Sequence, residues 1–350
     1  MATKLYNHIH NYLKENFQIS IFEVMKLALY DKDFGYYSRK LPFGKEGDFI
    51  TAPLVSQLFG EMIAANFANY CLENNINDIC IIELGPGDGT LMADILNVFN
   101  KIANLIQNFQ IILVENSEPL ITKQKEKLSK FQDIEISWCK TIEEIKTNKP
   151  VFLIANEFFD ALPIHSLIKI NNAWHEQVLK LENNNLTFSY NQEIAKFNNY
   201  LNDNYPQTKD GHIIEYNEIG LEIIKKLDAL ISDNKGMGIV IDYGYIINQK
   251  YTSTLQSLKK HQFVDVLENL GEADITIHVD FNELHQNITK CKKLPLLTQR
   301  QFLIGSGILT RAEILSNQNP NKTENIHSGL DRLISYDQMG SLFKVLMFYS

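Results

Sequence analysis

ICIIELGPGDGTL, residues 79–91, decides how this chain is read. An apolar run empties into Glu83 and then into glycines at 85, 87 and 89, after which an amphipathic segment begins. That order predicts a buried strand delivering the chain through a tight turn to a helix. Glycine permits positive φ and close backbone approach to a ligand, and a helix start at Thr90 offers free N–H groups. The spacing departs from the dinucleotide fingerprint: counted from Gly85, G-x-G-x-x-G requires its third glycine at position 90, whereas this chain places it at Gly89. Glu83 precedes the turn, where a pyrophosphate would meet like charge and a sulfonium ligand with a free ammonium group would meet attraction. The next apolar run ends in ILVEN, which sets Glu115 and Asn116 at the end of a second strand. A carboxylate there can accept both ribose hydroxyls of an adenosine ligand.

Glu83, the turn Gly85, Pro86, Gly87, Gly89 and Thr90, and Glu115 with Asn116 therefore read as a site for S-adenosylmethionine in a Rossmann-like methyltransferase. An ordinary strand-to-helix connector and an NAD site are the competing readings. The two acids at strand ends favour the methyltransferase.

Outward from this motif the pattern is strand 79–84, helix 90–103, strand 110–115, helix 117–130, a short strand near 134–137, helix 141–146, and the buried run VFLIANEFFD at 151–160. Strands alternating with helices of this length predict a parallel, doubly wound α/β sheet. Before it, 3–16 and 20–30 carry helical periodicity, with Ser20 and Glu23 spaced as a capping box, then a loop-like 34–53 and a helix at 54–72. After it, SLIKI, WHEQVLKL and LTFSY are separated by NNA and ENNN, which predicts an antiparallel meander. Residues 191–210 are polar; helix 218–232 and strand 238–244 follow, and after a long loop come HVDFNELHQNI (278–288), LPLLTQRQFLIGSGI (294–308) and a final strand at 343–349. The expected organisation is an N-terminal helical region over 1–75, a Rossmann-like core over 76–165 and 218–350, and an inserted β-rich cap over 166–217.

The 350 residues are 45% apolar, enough for a large core, and the formal charge of −9 argues against a non-specific nucleic-acid binder. Cys71, Cys80, Cys139 and Cys291 show no C-x-x-C pair and read as buried thiols in a reducing compartment. No run reaches the about eighteen apolar residues of a membrane span, and the N-terminus shows no targeting segment. The expectation is a cytoplasmic protein with no membrane insertion.

NEFFD falls at the carboxyl end of the fourth strand, beside the ligand in this architecture. Asn156, Glu157 and Asp160 would be costly polar groups there without a role. His278 and His285 flank Asp280, but Asp280 with Glu283 has helix-cap spacing and no third ligand is in reach, so no metal is expected. Asp242 ends a strand facing the same edge. Ser306 lacks the G-x-S-x-G context of a hydrolase.

Taken together, ALYDKDFGYY (28–37), GDFITAPLVSQLFGE (47–61), ELGPGDGTLMADIL (83–96), ANEFFDALPIH (155–165), IDYGY (241–245), TLQSLKKHQFVD (254–265), GEADITIHVDF (271–281) and MGSLFKVL (339–346) resemble the MidA-type methyltransferases, a family that includes a mitochondrial assembly factor of respiratory complex I. The segments run in order along nearly the whole chain. Leu54 stands where that family usually has an acid, and Asp88 where arginine is common. The resemblance implies a class I methyltransferase fold, S-adenosyl-L-methionine as cofactor, a GDFITAP loop that closes on the ligand through Thr51, and symmetric dimethylation of an arginine on a complex I core subunit. Glu157 and Asp160 are then the acids facing the guanidinium, with Asn156 orienting cofactor or substrate. A methyltransferase for a small molecule or nucleic-acid base, and a non-catalytic assembly factor, are the alternatives. The oligomeric state is open, a homodimer included.

Overall fold

The run at 79–84 becomes β1 (Asp78–Leu84), buried at every residue after the first. On one side it pairs in parallel with β2 (Asn108–Val114), and β2 with β3 (Glu135–Cys139). On the other it pairs in parallel with β4 (Val151–Asn156), and β4 with β5 (Gly236–Tyr245). β6 (Phe343–Tyr349) closes the series antiparallel to β5. The order β3-β2-β1-β4-β5-β6 reverses direction between β1 and β4. In open α/β sheets ligands bind outside the carboxyl ends of the strands at such a reversal.

The computed structural model describes residues 2–39, 51–102, 108–193, 197–246 and 251–350. The chain divides into two units. One, comprising Phe43–Asp160, Glu222–Ile247 and Val279–Ser350, contains this sheet. The helices α1 (Gln57–Glu73), α2 (Thr90–Lys101) and α3 (Glu118–Leu128) belong to it. Phe59, Phe67, Phe99 and Phe152 are fully buried among Ile81, Ile154 and Ile241, each burial stabilising the fold by about 1.5–3 kcal/mol. Phe67 and Phe152 pack edge to face with centroids 5.2 Å apart.

The other unit comprises Met1–Pro42, Ala161–Leu221 and Asn248–His278. Its meander is present as strands His165–Ile170, Ala173–Glu182 and Asn185–Glu193. The turn pairs Asn171–Asn172 and Asn183–Asn184 all have positive φ, the conformation of two-residue hairpin turns that asparagine tolerates. Ile19–Ser20 adds to this sheet by pairing with Leu179 and Val178, so the units do not follow the boundaries at 75, 165 and 217. Ser20 caps helix Ile21–Tyr30 by accepting the Glu23 N–H.

One local expectation changes, and two stretches given no element by local pattern contain helices. Residues 141–146 make a single 3-10 turn at Ile142–Glu144 rather than a helix, since one isolated helical turn does not recover its nucleation cost. The polar stretch after 190 contains helix Asn198–Asn204. Helices Gln299–Gly305, Ile308–Gln318 and Thr323–Ile334 fill the region before β6. Arg311 on the second of these holds the buried Glu61 of α1 with two bonds of 2.8 and 2.9 Å. Among the described residues no helix is long and apolar enough to cross a membrane.

Candidate active site

Between β1 and α2, Gly85, Gly87 and Gly89 all sit at positive φ (59°, 54° and 82°), which explains three glycines in five residues. The turn is closed by Gly85 N–H to Val114 O (3.0 Å) and Gly89 N–H to the carbonyl of buried Pro86 (2.9 Å). A Cβ on Gly85 would come within 3.1 Å of Phe158. The Thr90 N–H, expected to be free, is instead capped by Asp88 Oδ1 at 2.9 Å. Asp88 also pairs with Lys127 of α3 at 2.5 Å, and Lys127 bonds the Thr90 hydroxyl as well. Burial would raise the Asp88 carboxyl, but Lys127 and Thr90 outweigh it and hold it below the usual carboxylate range. The acid at 88 thus serves the local helix start and finds its own cation.

Glu83 is 3% exposed and its Oε2 has no hydrogen-bond partner. Burial, with Asp88 and Glu115 next, pushes its carboxyl up to about 8. Asn156, at the end of β4, is buried and its Oδ1 likewise lacks a partner. Glu83 is aligned with Ile154, so alternation along β4 places Glu83 and Asn156 on one face of the sheet. Two orphaned buried acceptors at the carboxyl edge suit a ligand that brings hydrogen-bond donors and positive charge.

Glu115 follows β2. Its Oε1 accepts the N–H groups of Asn116 and Ser117, both at 2.8 Å, and its Oε2 accepts Gln124 Nε2 at 3.3 Å. Burial raises this carboxyl, and those donors oppose the rise. Both oxygens were expected to serve ribose hydroxyls; the loop occupies Oε1 twice, so Oε2 carries the open acceptor position. Asn116 is exposed, and its N–H is spent on Glu115.

After β4 the chain turns sharply. Glu157 has φ 51°, a left-handed conformation that costs a non-glycine residue about 1–3 kcal/mol and clusters at functional sites. Its N–H bonds Ile241 O at 2.9 Å, and its Oε1 accepts Asn156 Nδ2 and Ala52 N–H, both at 3.3 Å. Thr51 is therefore next to the residue that reaches Glu157; it stands at the start of helix Ala52–Val55 with no capping bond from its side chain. Residues 47–50 of the GDFITAP segment lie outside the described residues. Asp160 is buried, with Oδ2 accepting the Tyr243 hydroxyl at 2.6 Å. Asp280 caps helix Phe281–Gln286 by accepting the Asn282 and Glu283 N–H groups, which accounts for the acid between His278 and His285.

The methyltransferase family model Methyltransf_28, whose members are S-adenosyl-L-methionine-dependent, matches residues 58–298. The chain belongs to this family. Protein arginine methyltransferase NDUFAF7, mitochondrial, of Xenopus laevis is 32% identical to it, with 98% of this chain and 84% of that protein covered. The Homo sapiens protein of the same name is 30% identical, with 98% and 82% covered. A crystal structure of a COG1565 superfamily member from Burkholderia thailandensis, bound to S-adenosyl-homocysteine, shares the fold with a TM-score of 0.85 at 21% identity, covering 99% of this chain and 92% of that one.

This methyltransferase therefore takes S-adenosyl-L-methionine as its cofactor, on the class I α/β fold read from residues 79–91. The sequence reading passed over Gln124, which is fully buried beneath the glycine turn, and Tyr243, which donates to Asp160. It placed Asp242 at the right edge in a supporting position, and the support it gives is to hold the backbone of the NEFFD turn. A polar residue among the apolar positions of an amphipathic helix was the available signal for Gln124.

Proposed function

We propose that this methyltransferase acts on arginine side chains of protein substrates. The observation that carries the reading is the near full-length similarity, at 30–32% identity, to relatives named protein arginine methyltransferases. The acids at the carboxyl edge support it. Asp242 is pushed well above the ordinary range by burial and then by Asp160 and Glu157, which marks a cluster of three acids after β4 and β5. A guanidinium cation stays protonated near neutral pH and pairs with carboxylates in bidentate geometry.

The bound cofactor supplies a methyl group on a positively charged sulfur. In this reading Glu83 holds the ammonium group, Glu115 and Asn116 take the ribose, Gly85, Pro86, Gly87, Gly89 and Thr90 let the backbone approach, and Thr51 closes from the side. Glu157 and Asp160 face the guanidinium nitrogens that are not attacked and draw positive charge away from the one that is. Asn156 orients the substrate or cofactor. Symmetric dimethylation of a complex I core subunit is the narrowest form of the proposal and rests on the family resemblance. We place the protein in the reducing cytoplasm, since none of its four cysteines is in a disulfide.

Incubation with methyl-labelled S-adenosylmethionine and host lysate, followed by mass spectrometry of the labelled species, tests this. Symmetric dimethylarginine on a protein is the expected product. Label confined to nucleic acid or small molecules removes the arginine reading and leaves the cofactor untouched.

A further inference from the structure

Gln124 lies on α3 with no solvent exposure, and its side-chain Nε2 donates to two parts of the candidate cofactor site. Trp138 of β3 donates its Nε1–H to Gln124 Oε1 at 2.8 Å. An indole N–H only donates, so the amide orientation is fixed: Oε1 faces Trp138 and Nε2 faces the other way. Nε2 then meets two acceptors, the Gly87 carbonyl at 2.8 Å and Glu115 Oε2 at 3.3 Å. One amide thus ties together the glycine turn, the acid after β2 and the third strand.

Packing alone does not ask for glutamine here. Leucine or methionine would fill comparable space on this helix face without the cost of burying an amide. What the amide adds is direction. The Gly87 carbonyl aims at Gln124, so the N–H of the same planar peptide aims to the opposite side of the turn. The Asn116 and Ser117 N–H groups fill Glu115 Oε1, and Gln124 approaches from the other oxygen, so the carboxylate plane is held from both ends. Backbone also leans on the same residue: a Cβ on Gly89 would stand 3.4 Å from the Gln124 Cα.

We propose that Gln124 is a positioning residue for cofactor recognition, aiming Glu115 Oε2 at a ribose hydroxyl and setting the Gly87 peptide in the same act. The inference rests on the assignment of Glu115 to the ribose and is independent of the methyl acceptor.

Calorimetric titration of the full chain with S-adenosylhomocysteine and its 2′-deoxy and 3′-deoxy analogues tests it, in the unaltered protein, Gln124→Met, Glu115→Gln and the double variant, with thermal melting as a check on folding. The unaltered protein should reject at least one deoxy analogue by about tenfold, the scale of one lost hydrogen bond to a charged group. Gln124→Met should weaken S-adenosylhomocysteine by about tenfold and flatten that discrimination to under about threefold. The double variant should bind no more weakly than Glu115→Gln, because both residues serve one contact. A merely structural role would lower the melting temperature and leave the discrimination intact, and that result overturns the proposal. Should Gln124→Met fail to fold, Trp138→Phe removes the bond onto Oε1 and keeps an aromatic ring in place; loss of discrimination there supports the proposal and full discrimination overturns it. If Glu115→Gln leaves discrimination unchanged, the ribose assignment falls. If Glu115→Gln abolishes it and Gln124→Met does not, this inference alone falls.

Discussion

Asp242 holds Asp160 by its backbone: Oδ2 of the fully buried Asp242 accepts the Asp160 N–H at 3.2 Å, together with that of Phe159 at 3.0 Å. Its Oδ1 takes the Tyr243 N–H at 2.9 Å, and the Tyr243 hydroxyl returns to Asp160 Oδ2. β5 thereby sets the shape of the turn that follows β4, where Glu157 departs from ordinary backbone geometry.

Asp242→Ala removes the acceptor from two buried N–H groups and a half-buried third, and should lower stability by about 3 kcal/mol or more, read as a urea midpoint shift at unchanged slope. Asp242→Asn keeps an oxygen that can accept part of this set, and should cost less than half as much. Burial, then Asp160 and Glu157, raises the Asp242 carboxyl. An acid raised in the folded state stabilises it at low pH and loses that contribution as pH climbs from the unfolded value towards the folded one. Asp242→Asn should therefore gain on the unaltered protein as pH goes from about 4 to about 7.

Gly87 has φ 54°. A branched side chain is strained there by at least about 1–2 kcal/mol and would stand on the ligand's approach surface. Gly87→Val should stay folded and lose S-adenosylhomocysteine binding by about 100-fold or more, measured by calorimetry. Gly211→Ala is the control: φ is 86° and nothing lies within 4 Å of the added Cβ. It should cost about 1 kcal/mol of stability and leave binding unchanged. Wild-type affinity in Gly87→Val would remove the cofactor from this turn.

Glu83 is raised to about 8, first by burial and then by Asp88 and Glu115, so without ligand it is mostly protonated at neutral pH. A cation placed beside it lowers that value and expels the proton. Binding near pH 7 should release close to one proton, seen as heats that vary with the buffer's ionisation enthalpy, and affinity should fall as pH drops from about 7 to about 5. Glu83→Gln should abolish the release and weaken binding by about tenfold to 100-fold. In the ligand-free protein the same raised acid subtracts stability as pH rises from about 4.5 to about 8, and the substitution should flatten that slope. Buffer-independent heats would separate Glu83 from the ammonium group.

Glu157 carries two burdens that substitution can separate. Glu157→Gly and Glu157→Ala both lose the carboxylate, but only alanine must still hold φ 51°, so the glycine variant should be the more stable by about 1 kcal/mol in denaturant titration. Glu157→Gln keeps the backbone as it is and loses the charge. It should bind cofactor within about threefold of the unaltered protein and turn over about 100-fold more slowly in single-turnover transfer to the identified substrate. Unchanged turnover in both Glu157→Gln and Asp160→Asn would move the catalytic acids elsewhere.

What the sequence determined by itself was whatever local pattern encodes. A short, isoleucine-rich apolar run that ends at three glycines reads as a buried strand feeding a tight turn, because its length, its β-branched residues and the glycines' tolerance of positive φ are all local. The same logic located the asparagine turns of the meander, the Ser20 and Asp280 caps, and the acids at the ends of β1, β2 and β4. The two acids around the glycine turn pointed to the cofactor, and family motifs in order along the chain added the methyl acceptor as an expectation. Local pattern misjudged 141–146 because periodicity over six residues does not report whether a single turn recovers its nucleation cost. Tertiary structure alone decided which groups face one another: that Asp88 has Lys127, that Glu115 spends one oxygen on its own loop, that Glu157 stands at positive φ because Asp242 and Ile241 hold the turn, and that Gln124 lies beneath Gly87. Those partners come from different strands and helices, and a hydrogen bond of about 3 Å requires a register and packing that no single segment contains.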